Sequence, residues 1–229
     1  MGIISIEQSD RLYWLGRYIE RVYTTTNLFA NRYDIMIDGD SSSYTDFCKH
    51  LDIPNIYSSA EDFRHTYSFN PEDENSIFSN LMRGYDNAIE LREMIGSEAL
   101  SYIQLAIYGM NQGAISSAPL IEMQRVMDNI NAFWGVIDDA IGDERNRNTV
   151  MIGKRVERID LYGRLHLESK DMIREYYRMA ARIGRSTLRY DAEALENLRQ
   201  LVEAEDLDYY RIVQEVEENL IIQHESIDV

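Results

Sequence analysis

Residues Trp14–Val22 read WLGRYIERV, and residues Met151–Ile159 read MIGKRVERI. Six consecutive positions share one form in both: Gly, Arg or Lys, any residue, a β-branched aliphatic, Glu, Arg. Around the first copy, Leu12, Leu15, Ile19, Val22, Thr26, Phe29, Tyr33 and Met36 recur at spacings of three and four. That is the period of an amphipathic helix. Ser5 followed by Gln8 has the form of a capping box at its start. Asp38-Gly39-Asp40-Ser41 is the turn-rich cluster expected to end it.

On such a helix Leu15, Ile19 and Val22 face the core, and Gly16 lies one turn before Glu20. A mid-helix glycine costs about 1 kcal/mol relative to alanine, so its use suggests close approach of another backbone. Arg17 and Arg21 flank Glu20 at helical spacing. Gly153, Val156, Glu157 and Arg158 repeat the geometry, with Lys154 in place of the first arginine and Arg155 as an added cation. A duplicated helical unit is the economical reading, with the two words facing each other about a pseudo-two-fold axis.

The remaining pattern is helical as well. Tyr44, Phe47 and Leu51 suggest a short helix stopped by Asp52-Ile53-Pro54. Another is expected from Ser59 to Tyr67, capped by Ser58 or Ser59. Ile77, Leu81, Tyr85, Ala88, Leu91 and Ile95 line a long helix from Ser76, with a bend or break at Gly96-Ser97. The pattern resumes to Asn111, and Gly113–Ser117 reads as a linker. Pro119 suits the first turn of a helix reaching Ile141. Gly142–Asn148 reads as a polar connector, and a helix from Thr149 runs towards Ile183. Asp191 caps a further helix through Leu201, and Leu207–Gln223 is the last candidate. No alternating strand pattern appears. The expected fold is all-α: a bundle of long antiparallel helices forming a single domain over 1–229, with repeat units of about 5–112 and 117–225.

Bulk properties narrow the function classes. The formal net charge is -17, which repels nucleic-acid phosphates and anionic lipid. Neither nucleic acid nor membrane is therefore an expected partner. No run of apolar residues is long enough for a membrane span. Cys48 is the only cysteine, which excludes an intramolecular disulfide. MGIISIEQSD lacks the features of a signal peptide, and Ile6 stands where a myristoylation motif needs Ser or Thr. These features point to the cytoplasm. Charge is also uneven: Asn146–Tyr190 holds eleven Lys or Arg against five Asp or Glu, whereas the chain from Asp191 holds two basic residues against twelve acidic ones.

Together these residues resemble a known family. LYWLGRYIER (Leu12–Arg21) resembles the opening signature of the alpha-E domain family, bacterial all-helical proteins named for an ER motif. Phe69-Asn70-Pro71 followed by Ser76-Ile77 is similar to its loop before a central helix. Asn87-Ala88 with Arg92, then Ser97 and Glu98, resembles its next pattern. Phe133–Asp138 resembles the segment before the second ER word, which Gly153–Arg158 matches. The resemblance covers roughly residues 7 to 165. It implies a context beside ATP-grasp amide ligases and transglutaminase-like proteins, in peptide-modifying or peptide-synthesising systems. The implied role is a non-catalytic accessory or interaction protein.

The candidate site is the charged set Arg17, Glu20, Arg21, Arg92, Asp138, Arg155, Glu157 and Arg158. Such a set is either an internal salt-bridge network that sets helix register or a pocket that binds an anionic group. Catalysis by Glu20 or Glu157 is disfavoured, because nearby arginines make a carboxylate a weak base. His50, His65, His166 and His224 show no metal-ligand spacing, and no Gly-rich loop follows a strand, so neither a metal nor a cofactor is expected. Arg174, Arg178, Arg182, Arg185 and Arg189 are spaced to share one helix face. Their expected partners are Glu193, Glu196, Glu203 and Glu205 in the acidic tail, with a docking strip for an acidic partner as the alternative. A homo-oligomer is also compatible with the apolar helices.

Overall fold

A computed structural model describes residues 4–37 and 43–222. Ten α-helices follow one another among the described residues, with no strand beyond a single antiparallel bridge of Tyr190 and Ile221. The helices are α1 (Ile6–Ile37), α2 (Ser43–Leu51), α3 (Ala60–Phe69), α4 (Ile77–Glu90), α5 (Arg92–Ile115), α6 (Pro119–Ala140), α7 (Glu144–Arg164), α8 (Ser169–Ile183), α9 (Ala192–Glu203) and α10 (Tyr209–Gln214). A π-helical turn, Glu215–Asn219, extends α10. The fold is therefore all-α, as the periodicity predicts. The expected end of the first helix at Asp38–Ser41, the end of the last one at Gln223, and His224 lie outside the described residues.

Packing divides the chain into two compact units: Met1–Arg17 with Asp143–Val229, and Tyr18–Gly142. This division cuts within α1, whereas the expected repeat halves divide the chain after α5.

In the first unit, the capping box forms as read: the Ser5 amide donates to Gln8 and the Gln8 amide to the Ser5 hydroxyl, each at 3.1 Å. The core gathers Tyr13, Ile152, Val156, Met172, Met179 and Leu198, closed by Val216 of the π-helical turn and by Leu220 just after it. Helix α7 begins at Glu144, five residues before the expected start, because Asp143 caps it by accepting the amides of Arg145 and Asn146. The connector reading fails for a physical reason. Asn148 is buried, yet its amide donates to the Arg185 carbonyl at 2.9 Å and accepts from Arg182 at 2.8 Å. Polar residues in this helix serve internal hydrogen bonds, not solvent.

The single helix expected from Thr149 towards Ile183 is two helices. His166 adopts a left-handed conformation, φ 51°, and the Leu167 amide donates back to the Tyr162 carbonyl. Glycine usually takes that position, so no residue type marked the stop. Arg185 and Arg189 consequently lie beyond the end of α8, and only Arg174, Arg178 and Arg182 share its surface.

In the second unit, α5 and α6 form a helical hairpin. Gly109 lies against Val126, and Phe69 of α3 sits over Gly113. Phe63 stacks on Tyr67 at 5.0 Å between ring centroids, and Phe47 meets both rings edge-on. Gly96 has φ 80°, which confirms the expected break there; a second break, at Leu91, separates α4 from α5. Helix α3 is capped by Ser59, one of the two serines expected.

Candidate functional site

The glycines of the two repeated words meet. A Cβ on Gly16 would overlap the Val150 carbonyl oxygen and lie 3.1 Å from the Lys154 amide nitrogen. A Cβ on Gly153 would overlap the Tyr13 carbonyl oxygen and lie 3.1 Å from the Arg17 amide nitrogen. Each glycine thus faces the carbonyl three residues before its counterpart and the amide one residue after it. The crossing of α1 and α7 is reciprocal over this turn. Backbone against backbone leaves no side chain to swing aside, so both positions require glycine.

One residue beyond Gly16, Arg17 is 5% exposed and lies inside this crossing. Its Nε donates to Glu157 Oε2 at 2.6 Å and its Nη2 to Asp160 Oδ2 at 3.2 Å. The guanidinium also lies 5.3 Å from the Trp14 ring centroid and 6.0 Å from that of Tyr13. Asp160 Oδ1 accepts from Arg164 at 2.9 Å, and Arg164 donates to Glu217 at 2.7 Å. Glu217 reaches Arg17 at 3.9 Å. This group ties α1, α7 and the π-helical turn together. Burial opposes the charge of Arg17, but Glu157 and Asp160 outweigh it and hold the guanidinium's pKa well above its ordinary value. Burial and the Glu157 charge raise the Asp160 carboxyl to about 6, against the pull of Arg17 and Arg164.

A second charged group lies between α7 and α8. Glu175 is fully buried, and four arginines surround it. Arg155 contacts it at 2.7 Å, Arg158 at 3.5 Å, and Arg174 and Arg178 at 3.2 Å each. Burial alone would raise the Glu175 pKa, yet Arg155 and Arg158 more than compensate and hold it below its ordinary value.

The expected site residues therefore separate. Arg17 and Glu157 come together, and Arg155 and Arg158 come together on Glu175. Glu20 and Arg21 belong to the other unit. Glu20 is fully buried and accepts from the Thr24 hydroxyl at 3.1 Å. Arg21 is half-buried, and its charge opposes the burial-driven rise in the Tyr67 pKa. Arg92 and Asp138 are exposed on α5 and α6. Sequence reasoning did not select Asp160, Arg164, Glu175 or Glu217. Asp160 and Arg164 carried a signal, an acid four residues before a base on one helix. Glu175, the acid inside the arginine series, carried another. Nothing in the sequence marked Glu217.

The acidic tail does not neutralise the arginine strip as expected. Glu196 and Glu203 pair with Arg199 of their own helix, and the Tyr177 hydroxyl donates to Glu203. Arg178 binds Glu175, Arg182 binds Asn148, and Arg185 binds Glu144.

Other constellations offer less. No group of three or more metal-binding side chains occurs among the described residues. Burial raises the Cys48 thiol to about 11, which keeps it protonated near neutral pH. A cleft of ≈ 70 Å³ opens between α1 and residues 187–189, lined by Ser9, Tyr13, Trp14, Thr187 and Leu188. It is far smaller than cofactor sites, which occupy about 300–1,000 Å³. No described helix is long and apolar enough to cross a membrane.

A family model described as a predicted alpha-helical domain with a conserved ER motif matches residues 8–181. No curated protein and no solved structure matches the chain.

Proposed function

This chain belongs to the Alpha-E family, and from that membership we propose that it is a non-catalytic accessory protein of an amide-forming, peptide-modifying system in the cytoplasm. Its partner is an ATP-grasp-type ligase, with a transglutaminase-like protein as a second member of the same system. The observation that carries the non-catalytic reading is the occupation of Arg17. Its guanidinium is bound by Glu157 of the second repeated word and by Asp160. A cation held that tightly fixes the register of α1 on α7 and has no lone pair to act as a base. The class of partner rests on the family resemblance alone.

Co-purification with an ATP-grasp ligase encoded beside this chain tests the proposal. Retention at low and moderate salt is expected; no binding at either salt level overturns it. The second reading is a binding domain for an anionic group, favoured by the gathering of four arginines on Glu175. The two readings part on the variant Arg158→Ala, at the arginine that contacts Glu175 from the second repeated word. Loss of stability supports a structural role, whereas an unchanged melting temperature with loss of anion binding supports a pocket.

A further inference from the structure

From Ala99 to Ile121 the chain holds 23 residues without one Asp, Glu, Lys, Arg or His, in a protein that is 28% charged. Most of this run forms α5, whose inner face packs Ile103, Ala106, Met110 and Gly113 into the second unit. Its outer face carries Ser101, Leu105, Tyr108, Gln112 and Ile115. Leu105 is 50% exposed, Tyr108 63% and Ile115 82%. A helix face turned to water normally bears charge, as α6 does with Arg125, Asp128 and Asp138. The outer five residues are spaced 4, 3, 4 and 3 apart, the a/d repeat of paired helices. Gln104 and Asn111, beside the stripe where paired helices place their charges, are neutral too. Both are held within the chain, by the Tyr85 hydroxyl and the Ile107 carbonyl.

Charge selects the occupant of this face. A foreign partner is commonly met by complementary charge at the rim of its site, and this face offers none. A second copy has the opposite need. Each copy carries a formal charge of -17, and near a two-fold axis an exposed carboxylate meets its like. On a face without ionisable groups two copies approach free of that short-range cost. The stripe is also self-complementary. In an antiparallel pair with the two-fold axis at the level of Met110, Leu105 meets the partner's Ile115 and Tyr108 meets the partner's Gln112, each pair occurring twice. The outer layers are aliphatic, and the inner ones join a hydroxyl to an amide. Leu105, Tyr108 and Ile115 together expose on the order of 350 Å², at about 150–250 Å² for a whole large side chain. That suits a weak dimer burying about 1,000–1,200 Å² in total, the low end for specific association.

We propose that the outer face of α5 pairs antiparallel with α5 of a second copy, making a weak two-fold homodimer with Leu105 over the partner's Ile115 and Tyr108 over the partner's Gln112. The pairing does not depend on the accessory role. Its test uses this chain alone, so its failure is separate from failure of the co-purification. Salt strengthens the pairing, because it screens the repulsion between two chains of -17 while the seam holds no ion pair to lose.

Sedimentation equilibrium of the full chain, from about 1 to 300 µM and at about 50 and 300 mM sodium chloride, tests the proposal. A monomer–dimer equilibrium is expected, with a dissociation constant that falls as salt rises. Leu105→Glu and Ile115→Lys are each expected to weaken the dimer at least tenfold. The double variant Leu105→Glu, Ile115→Lys sets opposite charges together at both ends of an antiparallel seam. It is expected to dimerise at least fivefold more tightly than either single variant. Tyr210→Glu, at an exposed residue of α10 in the other unit, should change the dissociation constant by no more than about twofold. Circular dichroism checks folding. Should Leu105→Glu unfold, Ile115→Lys alone carries the test, since Ile115 is the more exposed of the two. A monomer at every concentration would leave the face to a different protein and overturns the proposal. Dimerisation that salt weakens, that the single variants do not weaken, or that the double variant does not restore overturns it as well.

Discussion

Two glycines and one arginine show how far single residues decide this structure. On a free helix surface, replacing glycine with alanine stabilises by reducing backbone entropy in the unfolded chain. Gly135 of α6 is such a place: it is exposed and nothing lies within 4 Å of an added Cβ. Gly135→Ala should raise stability by about 0.5–1 kcal/mol. Gly16→Ala should do the opposite, since its Cβ would enter the Val150 carbonyl. The expected loss is about 1–3 kcal/mol in urea denaturation, the range for overpacked sites. Equal effects at the two positions would mean that the helices do not approach as closely as described. The sequence alone pointed to this contact, because glycine in mid-helix has a cost that only close packing offsets.

At the scale of elements, legibility followed the type of signal. Amphipathic periodicity placed α1, α4 and α6 well, and side-chain caps at Ser59 and Asp191 placed α3 and α9. Breaks without glycine were missed. Leu91 and His166 end helices by backbone conformation alone, and neither residue type announces it. The buried polar face of α7 was read as a connector, because partners such as Arg182 and Arg185 lie over thirty residues away in sequence. The same distance hid Glu217 from the charged group. That group makes the joining of α7 to its neighbours pH-dependent. Asp160 holds its proton up to about pH 6 in the folded chain, above its ordinary 3.8. Between those values the folded state binds more protons than the unfolded state. This group therefore contributes most stability at the acidic end of the window and loses it as pH rises through 6. Comparing wild type with Asp160→Asn by urea denaturation, the balance should shift towards wild type by about 1–2 kcal/mol from pH 7 to pH 4.5. A shift the other way would contradict the assignment.

For the whole molecule, charge acts at two ranges. The formal net charge of -17 makes the folded chain repel itself, and salt screens exposed charge more than buried pairs. The melting temperature should therefore rise between 20 and 200 mM sodium chloride; a fall would mean that exposed ion pairs dominate stability. Fold class was legible from the sequence because it depends on periodicity. The function of the charged residues was not, because Arg17 finds Glu157 across 140 residues and Arg155 finds Glu175 on another helix. The central claim is that the repeated words lock α1 to α7 through Arg17 and Glu157. A double-mutant cycle of Arg17→Met and Glu157→Gln, read by urea denaturation, tests it most directly. Each single change should cost about 3–5 kcal/mol, and the double variant should cost at least 1 kcal/mol less than their sum. Single losses below about 1 kcal/mol that simply add would contradict the lock.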